Sequence, residues 1–246
     1  MIVNTLTMRR LLDSEVITCL VGPTKSSYQI HAKALYRFLK PQTIDGLEIS
    51  TKPVTIYFPD VDEATFGHCC ELAYTGAYSV PLEPLSAAGD IDNSKERLFN
   101  RDILTCNIFH PQLLPHLYDV LQKYIIRPAT EPCCTKRADN YAELLLCHAR
   151  IHRYAYRSDC AALCVLSLKH LAQLLEGLVM CPQNIKDIVK LLEFAFEESE
   201  FMDNLQHILL EYMVWNIEAL MENPAILDFL ETSPDLEEMV FRKMWA

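Results

Sequence analysis

From Glu15 to Val21 β-branched residues cluster and end at Gly22-Pro23, after which Tyr28 and Ile30 alternate with polar neighbours. Two short strands joined by Gly22 to Ser26 predict a β-hairpin. A helix is predicted from Ala32 to about Leu39, stopped by Pro41. Pro41 to Lys52 has no firm period; then Val54, Ile56 and Phe58 alternate as in a half-buried strand that Pro59-Asp60 ends. Asp60 with Glu63 three residues on marks a helix start, and Phe66, Cys69, Cys70, Ala73 and Tyr74 recur at helical spacing on one apolar face. Gly76 is the expected terminator, being free to adopt positive φ.

From Pro81 to about Arg101 the chain turns to Pro, Gly, Ser, Asp, Asn and charge, a composition that buries too little surface to stay ordered alone. A helix is predicted between Pro115 and Ile126, and Arg127 to Ala138 is again loop-like, so that 81–138 reads as a flexible insertion. From Asp139 onward every period is helical. Asp159 is placed to cap a segment whose Leu163, Leu166, Leu171, Leu174 and Leu178 share a face, and Ile185, Ile188, Val189, Leu192 and Phe196 repeat the pattern. Leu205, Ile208, Leu209, Tyr212 and Trp215 do so again. Asn223-Pro224 and Ser233-Pro234 announce two closing helices, each a capping residue followed by proline at the first helical position. Strands first and helices afterwards define an α+β fold.

Composition narrows the partners. The 246 residues carry 22 basic and 33 acidic side chains, a net charge of −11 that repels a phosphate backbone or an anionic lipid surface. Neither nucleic acid nor membrane is an expected partner. The longest stretch without formal charge, Ile103 to Tyr118, is broken by Pro111, Pro115, Asn107 and Gln112 and falls short of the roughly 20 apolar residues of a membrane helix. Ten cysteines occur without a secretory leader or a glycosylation site, so they are expected to be free and mostly buried, in a protein of the cytoplasm or nucleus.

Four patterns invite chemistry. Gly22-Pro23-Thr24-Lys25-Ser26 ends in Lys-Ser, but a phosphate loop needs glycine where Thr24 and Cys19 stand, so a hairpin turn is expected instead. His148 and His152, four apart, with Cys147, Cys160 and Cys164 near them in sequence, have spacings that zinc would accept. The same helix needs Leu144, Leu145, Ile151 and Ala155 for its apolar face, so packing is the expected role and no metal or cofactor is assigned. Cys69-Cys70 and Cys133-Cys134 are vicinal and lack the two-residue gap of redox motifs; the second pair, beside Lys136 and Arg137, is the more reactive expectation. Glu197-Glu198 and Glu237-Glu238 read as solvated faces, and no catalytic signature occurs.

Hairpin, helix, strand, helix and a Tyr-Thr-Gly turn follow one another through Ser14-Glu15-Val16, Tyr28-Gln29-Ile30-His31 with Leu35, Val54-Thr55-Ile56-Tyr57-Phe58-Pro59 before Phe66, and Leu72-Ala73-Tyr74-Thr75-Gly76. In this order and spacing they resemble the BTB/POZ family, whose members bind proteins. His148-Ala149-Arg150-Ile151, Tyr154-Ala155-Tyr156-Arg157 and Leu163 resemble the helical part of the BTB proteins of filamentous fungi, and Ile185 to Phe196 and Leu205 to Leu220 are similar to the usual extension. The resemblance implies a BTB/POZ-like small sheet with packed helices over 1–180, followed by an all-helical C-terminal extension over 181–246. Glu15 stands where many relatives have aspartate, Ala32 follows His31 where they have a basic residue, and Pro41 to Lys52 lacks the usual Ser-Pro-Phe-Phe-like stretch.

The expected function is therefore non-enzymatic: an adaptor or scaffold that binds other proteins. The resemblance implies a homodimer formed through the N-terminal end, where Ile2, Leu6, Leu11 and Leu12 offer apolar contacts. It also implies, as an alternative, a substrate adaptor for a cullin-type ubiquitin ligase. Cullin-binding relatives place an apolar residue two before a glutamate; the nearest match is Leu47-Glu48, preceded by Gly46, so cullin binding is expected to be weak or absent with Leu47 as substitute anchor. A metal- or redox-responsive protein built on the cysteines and histidines is the remaining alternative.

Overall fold

The computed structural model describes residues 5–39, 54–79, 141–178, 180–197 and 203–245. The predicted insertion at 81–138, its helix from Pro115 to Ile126 and the segment Pro41 to Lys52 lie outside them. The described residues form an α+β structure with a three-stranded sheet and a majority of helix. They divide into two compact units, 5–39, 54–79 and 154–164 in the first, and 141–153, 165–178, 180–197 and 203–245 in the second.

The first unit opens with α1 (Thr5–Leu12), then β1 (Val16–Val21) and β2 (Ser26–His31). The hairpin pairs antiparallel from Val16 opposite His31 to Val21 opposite Ser26. Its turn needs positive φ at both ends, 71° at Gly22 and 55° at Lys25, and closes with the Lys25 N–H donating to the Gly22 carbonyl over 3.1 Å. β3 (Thr55–Phe58) runs parallel to β1 on its other edge, Thr18 opposite Thr55 and Val21 opposite Phe58, giving the order β2-β1-β3. A parallel neighbour requires a long return connection, which the chain between His31 and Thr55 supplies.

Between these strands α2 (Ala32–Leu35) is shorter than the sequence predicts. Arg37 and Phe38 donate their N–H groups to the carbonyls three residues back, so the helix tightens into turns before Leu39. The tighter winding brings the adjacent residues Phe38 and Leu39 both into the core.

α3 (Glu63–Thr75) starts two residues later than predicted, because Asp62 and not Asp60 caps it. The Asp62 carboxylate accepts from the Thr65 N–H at 2.8 Å and from the Thr65 hydroxyl at 2.6 Å, the reach a capping side chain has to the third helical residue. The buried face is also turned relative to expectation: Thr65 and Leu72 are inside with Phe66, Cys69 and Ala73, whereas Cys70 and Tyr74 are half-buried. At the far end Gly76, at φ 83°, donates to the Leu72 carbonyl over 2.8 Å and terminates the helix as predicted. Phe66 is the centre of an aromatic cluster, its ring 5.3 Å from Phe58, 5.4 Å from Tyr28 and 6.0 Å from Phe38, which in turn lies 6.3 Å from Tyr154. Burying one such side chain contributes roughly 1.5–3 kcal/mol.

Tyr154 belongs to α4 (Tyr141–Arg157), and α5 (Ala161–Glu176) follows it. Asp159, predicted as an N-cap, is the left-handed residue that closes α4, at φ 52°. The Cys160 N–H reaches the Ala155 carbonyl at 2.8 Å and the Asp159 N–H reaches Tyr156 at 3.1 Å, the paired bonds of a Schellman ending. The first bond of α5 then runs from the Cys164 N–H to the Cys160 carbonyl, 3.0 Å.

In the second unit α6 (Pro182–Glu197) buries Ile185, Ile188, Val189 and Leu192 as predicted. α7 (Asp203–Trp215) buries Leu205, Ile208, Leu209 and Tyr212, but Trp215 is 54% exposed. The helix stops at Trp215, where the Asn216 side chain donates back to the Tyr212 carbonyl at 2.8 Å, so the residue has no further turn to hold it inward. A short α8 (Ile217–Met221) follows. α9 (Pro224–Thr232) is capped by Asn223, which accepts from the Ala225 N–H at 3.0 Å, and α10 (Pro234–Met244) begins with proline as predicted, although Ser233 makes no side-chain cap bond. α10 packs on α7 and α9, and α9 on α6.

Two glycines of α3 should respond oppositely to alanine. Gly76→Ala forces a side chain into positive φ and should destabilise the protein by about 1–2 kcal/mol. A Cβ on Gly67 would meet nothing within 4 Å, so Gly67→Ala should stabilise it by about 1 kcal/mol. Paired denaturant titrations check both signs.

Candidate functional site

Three polar links tie the hairpin and the turn after α2 to α3. At its N-terminal end, the Glu63 carboxylate accepts from Ser26 Oγ, from Thr24 Oγ1 at 3.1 Å and from Tyr28 Oη at 3.3 Å. Ser26 and Tyr28 are two apart on a strand, which aims both hydroxyls to one side of the sheet. These bonds favour the ionised carboxylate, and they hold the Glu63 carboxyl below its usual range, the Ser26 bond contributing most. A carboxylate in the middle of the Gly22–Ser26 turn would repel a phosphate, which rules out the phosphate-loop reading on charge as well as on spacing.

At the other end of α3 the Tyr74 hydroxyl accepts from the His31 N–H at 3.0 Å and lies 2.8 Å from His31 Nδ1. Arg37 Nη1 donates to the Ala73 carbonyl at 2.6 Å, a cation placed on the last turn of the helix, where the dipole favours it. From the sequence Glu63 marked only a helix start and Tyr74 only an apolar face and a motif, and Arg37 was not singled out. Only the Thr24, Ser26, Tyr28 alternation and an acidic first helical residue hinted at the first of these links.

The apolar residues expected at an N-terminal interface separate. Leu6 lies on α1; Leu11 is buried, and Leu12 is 52% exposed. Leu11 thus belongs to the first unit's own core, where α1 packs on α2, and Leu12 alone of that pair is offered outward. Val16 and Tyr36, at the start of β1 and directly after α2, are exposed as well. Leu47 and Glu48 lie outside the described residues.

The cysteine and histidine candidates are packed. His148 and His152 are buried, the first with its ring 5.4 Å from that of His170 and edge-on to it, the second with Nδ1 3.4 Å from Ser167 Oγ. In the first unit the Cys160 thiol donates to the Arg37 carbonyl over 3.6 Å. Among the described residues no group of three or more His, Cys, Asp or Glu is arranged to hold a metal ion. Burial pushes the Cys70 thiol up to about 12 and the Cys19 thiol likewise to about 12, the latter aided by Cys70. Both are therefore protonated and poorly nucleophilic at neutral pH. Cys133 and Cys134 lie outside the described residues.

Beside these thiols the Tyr154 hydroxyl is buried with no hydrogen-bond partner among the described residues. Burial, and then the neighbouring Cys69, Cys160, Cys70 and Cys19, raise its pKa well above the ordinary value. Such a group costs stability without contributing a bond.

Among the described residues no helix is long and apolar enough to cross a membrane. No protein-family model, curated protein or solved structure matches the chain.

Removing the Tyr154 hydroxyl should help: Tyr154→Phe is expected to leave stability unchanged or raise it by about 1 kcal/mol, read by thermal and urea unfolding. For Glu63 the sign follows from its lowered pKa. Its contribution is fully present above the ordinary carboxylate value of 4.5 and disappears as pH falls through the lower folded value. Wild type should therefore exceed Glu63→Gln in melting temperature at neutral pH, and the two should converge in acid below that value.

Proposed function

We propose that the chain is a non-enzymatic protein–protein interaction protein of BTB/POZ type, an adaptor or scaffold that self-associates through its N-terminal end. The observation that carries this reading is the His31–Tyr74 link. It joins two of the sequence stretches on which the resemblance rests, Tyr28-Gln29-Ile30-His31 and Leu72-Ala73-Tyr74-Thr75-Gly76, in one hydrogen-bonded contact. The element order α1, β1, β2, α2, β3, α3 with Gly76 as terminator supports it further.

Several observations weigh against chemistry as the function. The turn that might have cradled a phosphate holds a carboxylate. The thiols of buried Cys19 and half-buried Cys70 are held protonated, and no disulfide joins two cysteines among the described residues, in keeping with a reducing compartment. Recognition by surface side chains is what remains, and Leu12, Val16 and Tyr36, three of the exposed apolar groups of the first unit, are those that such a contact would cover.

Sedimentation equilibrium of the full chain tests the self-association. A dimer at micromolar concentration is expected, and Leu12→Asp should weaken it at least about tenfold, since an apolar anchor at an interface is worth roughly 2 kcal/mol. The substitution is at an exposed position, so circular dichroism should be unchanged. A strict monomer, or a dimer indifferent to Leu12→Asp and Leu6→Asp, would remove the claim. Gly46 supplies no side chain where cullin-binding relatives insert one, so the purified cullin N-terminal region should bind more weakly than about 1 µM. Tighter binding that survived Leu47→Ala with Glu48→Ala would place the contact elsewhere.

A further inference from the structure

Helix α10 buries Leu236 and Val240 and rests Lys243 on Glu211 of α7, 2.6 Å away. Its opposite side is open. Pro234, Glu238, Phe241 and Trp245 follow at spacings of four, three and four, which sets them along one line of the helix and just past its end. Phe241 is 50% exposed and Trp245 85% exposed, with Met239 and Met244 also exposed. The apolar stripe alone does not say what covers it; the charges do. The first half of α10 carries Asp235, Glu237 and Glu238, and the last turn offers Arg242 on this side, Lys243 being turned to Glu211. A helix whose charge reverses about its own middle is complementary to itself when turned end for end, which is the condition a two-fold interface requires. Opposed helix dipoles favour the same antiparallel arrangement.

We propose that this face of α10 pairs with the same face of a second copy of the chain about a two-fold axis, the two helices antiparallel. An axis crossing the open face between Glu238 and Phe241 sets each Trp245 over Pro234 of the second copy, each Phe241 beside the aliphatic stem of Glu238, and each Arg242 within reach of the Glu238 carboxylate across the axis. Within one chain Arg242 already pairs with Glu238 at 2.5 Å, and both side chains remain more than three-fifths exposed, at 78% and 62%. The carboxylate has lone pairs for a second guanidinium, so the network extends across the axis without breaking the existing bond. α10 lies outside the residues that carry the BTB resemblance, so this interface stands apart from the N-terminal one.

The association is weak by construction. One helix of 11 residues offers far less than the roughly 1,600 Å² of a standard interface, and a net charge of −11 opposes it at long range. A dissociation constant on the order of 100 µM is expected. Sedimentation over about 10–500 µM of the full chain carrying Leu6→Asp and Leu12→Asp, which weaken the N-terminal contact, brackets that value. Phe241→Ser and Trp245→Ser should each weaken association about tenfold, and Arg242→Glu and Glu238→Arg should each do the same by setting like charges opposite each other. An equimolar mixture of Arg242→Glu and Glu238→Arg chains should associate at least as tightly as wild type, because opposite charges then face each other at both symmetry-related positions. An effect confined to one chain cannot produce that recovery, since the pair within each variant stays repulsive in the mixture. Leu12→Asp should leave the recovery intact, which separates this interface from one at the N-terminal end. A chain with these N-terminal substitutions that stays monomeric to about 500 µM, association in it indifferent to Phe241→Ser, or a mixture no tighter than either variant alone would each overturn the proposal.

Discussion

The strand Val16–Val21 is hydrogen-bonded along both edges, antiparallel to Ser26–His31 and parallel to Thr55–Phe58, while Ile17, Cys19 and Val21 are almost wholly removed from water. A strand held this way has one register only, because a slip of one residue would turn its three core side chains to the opposite face. The positions of β2 and β3 follow from it, and so do the groups they present to α3. Phe58 on β3 and Tyr28 on β2 flank Phe66, and Phe38 closes the cluster from the turn after α2. Apolar burial thus fixes where the helix sits, and the polar links fix its orientation: hydroxyls on Glu63 at one end, His31 and Arg37 at the other.

This division of labour also commits the cysteines and the Lys-Ser turn of the first unit to structural contacts. The thiols of Cys19 and Cys70 lie where burial keeps them protonated, and the Lys-Ser turn is committed to a carboxylate. Outward the unit presents a few apolar side chains, among them Leu12, Val16 and Tyr36, which the proposed contact would cover.

Periodicity made the strands, the hairpin, α3 and the later helices legible, because each buries one face and the apolar spacing records it. Gly76 and Asn223 were equally legible, since their local chemistry admits few other roles. What escaped were choices between near-equivalent local options. Asp60 and Asp62 both precede the helix, and only the bond to Thr65 decides between them. Asp159 is a good N-cap by type, but aspartate also tolerates the left-handed conformation that closes α4. Trp215 continued an apolar pattern past the point at which the helix ends. The parallel pairing of β3, and the contacts of Tyr74 and Arg37, join residues far apart in sequence and leave no local trace, and the Glu63 contact leaves only the Thr24, Ser26, Tyr28 alternation. Of the interface residues, Leu11 and Leu12 have the same chemistry, and only packing on α2 sends one in and the other out.

Hydrogen exchange resolved along the chain, at low and high protein concentration, tests most directly whether a fixed core carries a recognition surface. The account predicts that amides of Val16–Val21 exchange only through global unfolding at both concentrations, while those around Arg9–Asp13 slow as concentration rises. Fast exchange throughout β1, or an N-terminal segment whose rates ignore concentration while the chain self-associates, would contradict it.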